Sequence, residues 1–194
     1  MMKTHYDSLP VLTFNFLSFL SDFLKLTKFR LAVSVVFSSV AGYLLAVDQI
    51  DMSILLGLFF GGFAMVGASN AFNQWIEKDK DALMIRTMDR PLPAGRMNNL
   101  TALAIASLLT LAGIYILNNI NFKTALFGSL SIFMYTCIYT PLKSLTPLSV
   151  FVGAFPGAIP FMLGWVAATG SFGIEPGLLF MIQFFWQFPH FWAI

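Results

Sequence analysis

Charge is what this sequence has least of. Only 10% of its 194 residues are Asp, Glu, Lys or Arg, and the net charge is +2. Soluble globular domains carry roughly 25% charged residues, so an ordinary water-soluble enzyme is excluded. The small positive balance excludes a phosphate-backbone reader, and no nucleic-acid partner is expected. A single cysteine, Cys137, excludes a disulfide framework and any thiolate metal centre. Histidine is nearly absent too, with His5 and His190 alone. That leaves no basis for a zinc site or a Ser-His-Asp catalytic set. What is abundant is apolar: 58% of residues are hydrophobic, 22 are Phe, and mean hydropathy is +0.79. The composition is that of a polytopic membrane protein.

A spanning helix needs about 20 mostly apolar residues. Six stretches qualify: Leu31–Val47, Ile54–Trp75, Leu100–Leu117, Thr124–Thr140, Leu148–Ala168 and Gly177–Ile194. The predicted fold class is all-α, a polytopic transmembrane helical bundle. Residues 118–123 read as a polar hairpin between antiparallel helices. Gly57 and Gly61, four apart, suit a close helix–helix face. Cys137 is expected to be a small packing residue. Before the first span, Val11–Leu26 carries a polar stripe of Asn15, Ser18, Ser21, Asp22 and Lys25. That stripe predicts an amphipathic helix lying on the membrane surface.

Basic residues set the orientation. If the six spans alternate, ten of the eleven Lys and Arg fall on one side and only Lys123 on the other. The N-terminus and the segment after the second span are therefore expected in the cytoplasm. No cleavable leader is evident, so a bacterial inner (plasma) membrane is the expected location. The last apolar stretch ends at Ile194 without a polar flank, which predicts a truncated chain.

Four of the nine acidic residues lie between Asn73 and Pro93. On an α-helix each residue turns about 100°, which puts Asn73, Glu77 and Asp81 within about 80° of one another over two turns. They form a ladder of oxygen donors at the inner end of the second span, with Asp79 pointing elsewhere. Oxygen ligands of this kind suit Mg²⁺, usually held by one or two carboxylates plus substrate phosphates. Arg86 and Arg90 follow, and guanidinium groups bind phosphate oxygens in a fork. Together these residues read as a site for a lipid diphosphate. A solvated topology loop gives the same charges without a site. Against that stand the length of the segment and the position of Asn73 inside an apolar stretch.

Asn73, Glu77 and Asp81 match the first acidic motif of the UbiA-type intramembrane prenyltransferases. The longer run from Asn73 to Met84, with Arg86-Thr87 and Arg90-Pro91-Leu92-Pro93-Ala94-Gly95-Arg96, resembles the protohaem IX farnesyltransferase (haem O synthase) branch. So do Tyr139-Thr140-Pro141-Leu142-Lys143, Gly153–Pro160 with Gly164-Trp165, and Trp186–Phe191. The resemblance runs from about Lys25 to the end of the chain and implies about nine spans in all. It also implies a second acidic motif beyond the sixth span, before which this chain stops.

It implies a single prenyltransferase domain over 1–194, with 1–30 a cytoplasmic or interfacial segment and 76–99 a cytoplasmic catalytic loop. The activity implied is transfer of a farnesyl group from farnesyl diphosphate to a vinyl group of haem B. Mg²⁺ would be held by Asn73, Glu77 and Asp81, with Arg86 and Arg90 as catalytic cations. Lys78, Lys143 and His190 would contact substrate. Downstream partners implied are a haem A synthase or the assembly of a haem-copper oxidase. For His190 two readings stand: haem ligation or proton transfer, and a neutral imidazole bonded to a carbonyl freed by Pro189. A prenyltransferase acting on a quinone or chlorophyll precursor, a transporter with an acidic ion site, and a non-catalytic assembly subunit are the competing expectations.

Overall fold

A computed structural model describes residues 15–193. Lys3, His5, Asp7, residues 11–14 of the amphipathic stretch and Ile194 lie outside that range. The regular structure of the described residues is helical: α1 Phe16–Leu26, α2 Phe29–Leu44, α3 Met52–Asp81, α4 Asn99–Ile120 and α5 Phe122–Phe133. The last continues as a π-helical segment, Met134–Tyr139, into a short turn, α6 Thr140–Leu142. Then come α7 Ser149–Thr169 and α8 Ile174–Trp192. The protein is an all-α membrane bundle.

Among the described residues, four helices are long and apolar enough to cross a membrane: Met52–Asp81, Asn99–Ile120, Phe122–Leu142 and Ser149–Thr169. The six expected spans are therefore approximate. α2 is 16 residues and falls short of a full crossing by length. α8 has 19 residues, but Gln183, Gln187, Pro189 and His190 dilute its apolar character.

α3 is the frame of the bundle. Its N-terminus is capped by Asp51, whose side chain accepts from the Ser53 and Ile54 amides. Thirty residues make about 45 Å of helix, well beyond a hydrocarbon core of about 30 Å. That surplus is long enough to carry Glu77 and Asp81 beyond such a core on rigid helix. The segment expected as a loop from residue 76 is accordingly helical to Asp81, and the connection begins at Ala82. Asn70, Asn73, Gln74, Glu77 and Asp81 are all buried and recur at helical spacing. A polar face packed against neighbours prolongs the helix where sequence polarity suggests a loop.

The α4–α5 hairpin is tighter than expected. Asn118 and Asn119 belong to the last turn of α4. Asn121 makes the turn: its Oδ1 accepts from the Thr124 amide, and its Nδ2 donates to the Val166 and Ala167 carbonyls of α7. Gly57 and Gly61 do face a neighbour, since a Cβ at Gly61 would meet Leu117 of α4 at 2.8 Å. Cys137 is exposed, not packed, on the outer side of the π-helical segment.

α1 packs Asp22 and Leu26 inward and leaves Phe16, Leu17, Leu20 and Leu24 exposed. Asp22 accepts from Arg96 at 3.0 Å, and Arg96 also pairs with Asp89. The connection after α3 is thus tied down by its own charges, while Leu92 and Met97 are buried in a core with Leu26, Ala71, Ala102 and Ala106.

Candidate functional site

The α3 ladder assembles as the spacing predicts. Asn73, Glu77 and Asp81 are buried. Asn73 Nδ2 donates to Glu77 Oε2 at 2.9 Å and to Thr140 Oγ1 at 3.2 Å. Thr140 in turn donates to the Tyr135 carbonyl, five residues back, across the π-helical segment. Such segments recur at functional sites. This one turns Thr140 toward α3 and carries Lys143 after it.

Each carboxylate has a cation. Lys143 Nζ donates to Glu77 Oε2 at 2.6 Å, and Arg90 Nη1 donates to Asp81 Oδ2 at 2.6 Å. Asp79 is exposed, as expected. Arg86 is exposed and has no ion pair with a described residue. Lys78 is half-buried one position round the helix from Glu77, also without a pair among the described residues. The structure brings Asn73, Glu77, Asp81, Arg90 and Lys143 together, and leaves Arg86 and Lys78 outside the cluster.

Three oxygens remain without a hydrogen bond from a described residue: Asn73 Oδ1, Glu77 Oε1 and Asp81 Oδ1. That donor set fits a hard divalent cation. Among the described residues, no three His, Cys, Asp or Glu side chains cluster as a complete metal cage. An ion here would need further oxygens from a ligand.

The sequence pattern did not single out Lys28. It is the only described non-glycine residue with a positive φ, 48°. It is half-buried and has no ion pair with a described residue. Burial, then the nearby Arg90 and Lys143, push its ammonium down to about 8, while Asp81 and Glu77 pull it back. A depressed lysine pKa means the unfolded chain binds the proton more tightly, so the residue opposes folding below about pH 8, and the penalty fades between there and its ordinary value. The left-handed backbone adds about 1–2 kcal/mol of strain that glycine would not carry. Lys28→Gly is therefore expected to raise the melting temperature in detergent. The gain should be largest at pH 7 and shrink above pH 8; a variant that melts lower than the parent at pH 7 would contradict this account.

Beside the ladder lies a cavity of about 410 Å³ between α2, α3, α7, α8 and the π-helical segment. Asn70, Ser131, Tyr135, Pro156, Gln187 and His190 are among its walls. The ladder does not line it. Asn70 does, and Asn73 follows three residues further along α3. Pro160 lacks the amide that would bond the Pro156 carbonyl, and Ser131 Oγ donates to that carbonyl at 3.4 Å. A smaller space of about 50 Å³ shares Val35, Val66, Ser69, Ser131 and Pro160 and leads deeper between the helices. His190 is exposed toward the larger cavity, near the end of α8. Phe151, Phe155, Phe180, Phe184 and Phe188 contact one another between α7 and α8, which marks them as packing.

The model of the UbiA prenyltransferase family matches residues 35–194. Protoheme IX farnesyltransferase of Christiangramia forsetii is 69% identical over 177 residues, 91% of this chain and 59% of that protein. The Flavobacterium psychrophilum protein of the same name is 65% identical over 180 residues, 91% of this chain and 60% of that protein. That of Cytophaga hutchinsonii is 51% identical over 174 residues, 89% and 61% respectively. This chain therefore spans about three fifths of the length of these relatives. A solved structure concerning digeranylgeranylglyceryl phosphate synthase in membranes superposes with a TM-score of 0.77 at 21% identity, covering 85% of this chain and 58% of that one. At that identity the likeness is one of fold.

Proposed function

Because the chain belongs to the UbiA prenyltransferase family, we propose that the whole protein transfers the farnesyl group of farnesyl diphosphate to a vinyl group of haem B, giving haem O. One observation carries the reading: a buried oxygen ladder paired with two cations stands on α3, the helix that also lends Asn70 to the wall of a large cavity. The ladder suits a diphosphate head, and the space among α2, α3 and α7 suits an isoprenoid tail. The high identity with proteins named protoheme IX farnesyltransferase supports haem as acceptor.

Asn73, Glu77 and Asp81 would hold Mg²⁺ through their uncommitted oxygens, and its chemistry is to neutralise charge on a departing diphosphate. Prenyltransferases of this family generally use Mg²⁺ in that way. The chain's own residues supply the rest. Arg90 and Lys143 are held at the ladder by their carboxylate partners, and are placed to donate to phosphoryl oxygens as the allylic C–O bond breaks. The vinyl carbon then bonds to the allylic carbon. The resulting cation beside the porphyrin takes up water and releases a proton, leaving a hydroxyl group. The apolar walls keep water from the allylic centre until the carbon–carbon bond has formed. His190, Gln183 and Gln187 give α8 a polar edge on the cavity where an acceptor's polar groups would bind. Lys78 and Arg86 are proposed as outer diphosphate contacts on the resemblance alone.

Lys25, Lys28, Arg30, Arg90, Arg96 and Lys143 gather at the ladder's end of the bundle, which by the distribution of basic residues is the cytoplasmic end of a bacterial inner membrane protein. A haem A synthase or a haem-copper oxidase assembly would receive the product. The acids stand at one end of the bundle rather than at mid-span, where a transporter would carry its ion site.

The test is direct. Membranes carrying the whole protein, incubated with haem B, farnesyl diphosphate and Mg²⁺, should yield haem O by mass spectrometry. Prenylation of a quinone or chlorophyll precursor with no haem O would replace the acceptor. Mg²⁺-dependent uptake into proteoliposomes without any prenylated product would replace the whole reading.

A further inference from the structure

We infer that Lys28 binds the diphosphate: the left-handed turn between α1 and α2 is pinned to α3 within one helical turn of Asn73 and Glu77, and it presents there a lysine with no ion pair among the described residues. The inference rests on reading the α3 ladder as the diphosphate site.

The turn is held by α3 itself. Asn70 Nδ2 donates to the Thr27 carbonyl at 3.1 Å. Gln74 Nε2 donates to the Lys25 and Leu26 carbonyls at 3.0 and 2.8 Å. These amides bond the carbonyls at the C-terminal end of α1, where intrahelical donors run out; the Lys25 carbonyl also accepts from the Lys28 amide at 3.3 Å. Asn70 and Gln74 sit on the same buried face as Asn73 and Glu77, so the helix that presents the ladder also fixes where Lys28 begins.

Strained backbone of this kind persists where the surroundings over-determine it, and it clusters at ligand sites. Lysine is a poor residue for a left-handed position, and a turn alone would be better served by Gly or Asn. The charge count points the same way. Glu77 is taken by Lys143 and Asp81 by Arg90, so Lys28 is surplus positive charge in a half-buried place. An anion entering the cluster would meet a group with no competing partner among the described residues. Lys28 also lines a surface groove of about 520 Å³ with Lys25, Arg30, Leu24, Phe29 and Leu31. That surface is cationic and apolar at once, which suits the anionic head and apolar tail of a lipid diphosphate.

The experiment measures inorganic pyrophosphate binding, with Mg²⁺, to the whole protein in detergent by calorimetry. Lys28→Gly keeps the backbone and removes the charge, and should bind at least about tenfold more weakly. Lys28→Arg keeps a cation and should stay within about threefold of the parent. The KM for farnesyl diphosphate should follow the same order, with the KM for haem B unchanged. A purely structural role would not separate the two substrates. If Lys28→Gly keeps the parent's pyrophosphate affinity while Glu77→Gln loses it, this inference fails and the ladder reading stands. If the parent itself binds no pyrophosphate, both fail.

Discussion

Glu77→Gln in the whole protein should lower the turnover number at least about 100-fold while the protein still inserts into membranes. Glu77 stands at the centre of the cluster. Its Oε2 accepts from Asn73 and from Lys143, and its Oε1 accepts no hydrogen bond from a described residue. Gln has nearly the same shape, so the helix and the Asn73 contact survive. What changes is charge: the free oxygen becomes a weaker ligand, and Lys143 loses its anion.

The two consequences can be separated. Lys143 is about a third exposed, so water compensates much of the lost pairing and the stability cost should be small. Adding Lys143→Met should remove even that cost, yet leave turnover as low or lower. Exchanging the pair, Glu77→Lys with Lys143→Glu, keeps an ion pair but moves the carboxylate off α3. If Glu77 acts at the diphosphate, the exchanged protein folds and fails to turn over. If Glu77 only ties α6 to α3, the exchanged protein works. Turnover of Glu77→Gln within a few-fold of the parent would remove the ladder from the reaction.

That cluster was legible in part. Residues four apart on a helix share a face whatever surrounds them, so Asn73, Glu77 and Asp81 could be aligned from spacing alone. Their being buried could not, because burial depends on Thr140, Lys143 and Arg90 arriving from elsewhere. Lys143 is 66 positions from Glu77, and only its place in a family-like stretch suggested a role. Lys28 was read as one of several inner-side charges. Nothing in a Thr-Lys-Phe sequence announces a positive φ, which is imposed by Asn70 and Gln74 pulling on the preceding carbonyls. The π-helical segment was hidden for a similar reason. Met134–Tyr139 is as apolar as its surroundings, and the added residue per turn shows only in how Thr140 bonds back to Tyr135. The polar end of α3 was misjudged as loop because composition cannot distinguish a solvated segment from a polar face packed on partners.

Helix crossings are the least legible level, and one of them sets the second large effect. Gly164→Ala should cost about 3 kcal/mol or more of stability, seen as a lowered melting temperature in detergent. A Cβ at Gly164 would run into the Ser39 carbonyl oxygen, and would stand 2.5 Å from the Tyr43 amide nitrogen and 2.9 Å from the Gly42 carbonyl carbon. All three are backbone atoms of α2, which cannot turn aside as a side chain can. Gly42 faces the Phe161 carbonyl of α7 in the same way. The two helices are therefore in backbone contact, and a methyl group on either must separate them.

Gly57→Ala is the comparison. Its Cβ would meet only the flexible Ile120 side chain, at 3.0 Å, so a cost below about 1 kcal/mol is expected. Because Gly42 and Gly164 guard one crossing, the double variant should lose less than the sum of the singles: once the helices part, the second methyl finds room. Parting them has a consequence beyond stability. Ser34 and Ser38 of α2 face Gly157 and Pro160 of α7 across the cavity, so the crossing sets the cavity's width. Gly164→Ala protein rescued by low temperature should show a raised KM for both substrates. A melting temperature equal to that of the parent would mean that α2 and α7 do not approach this closely.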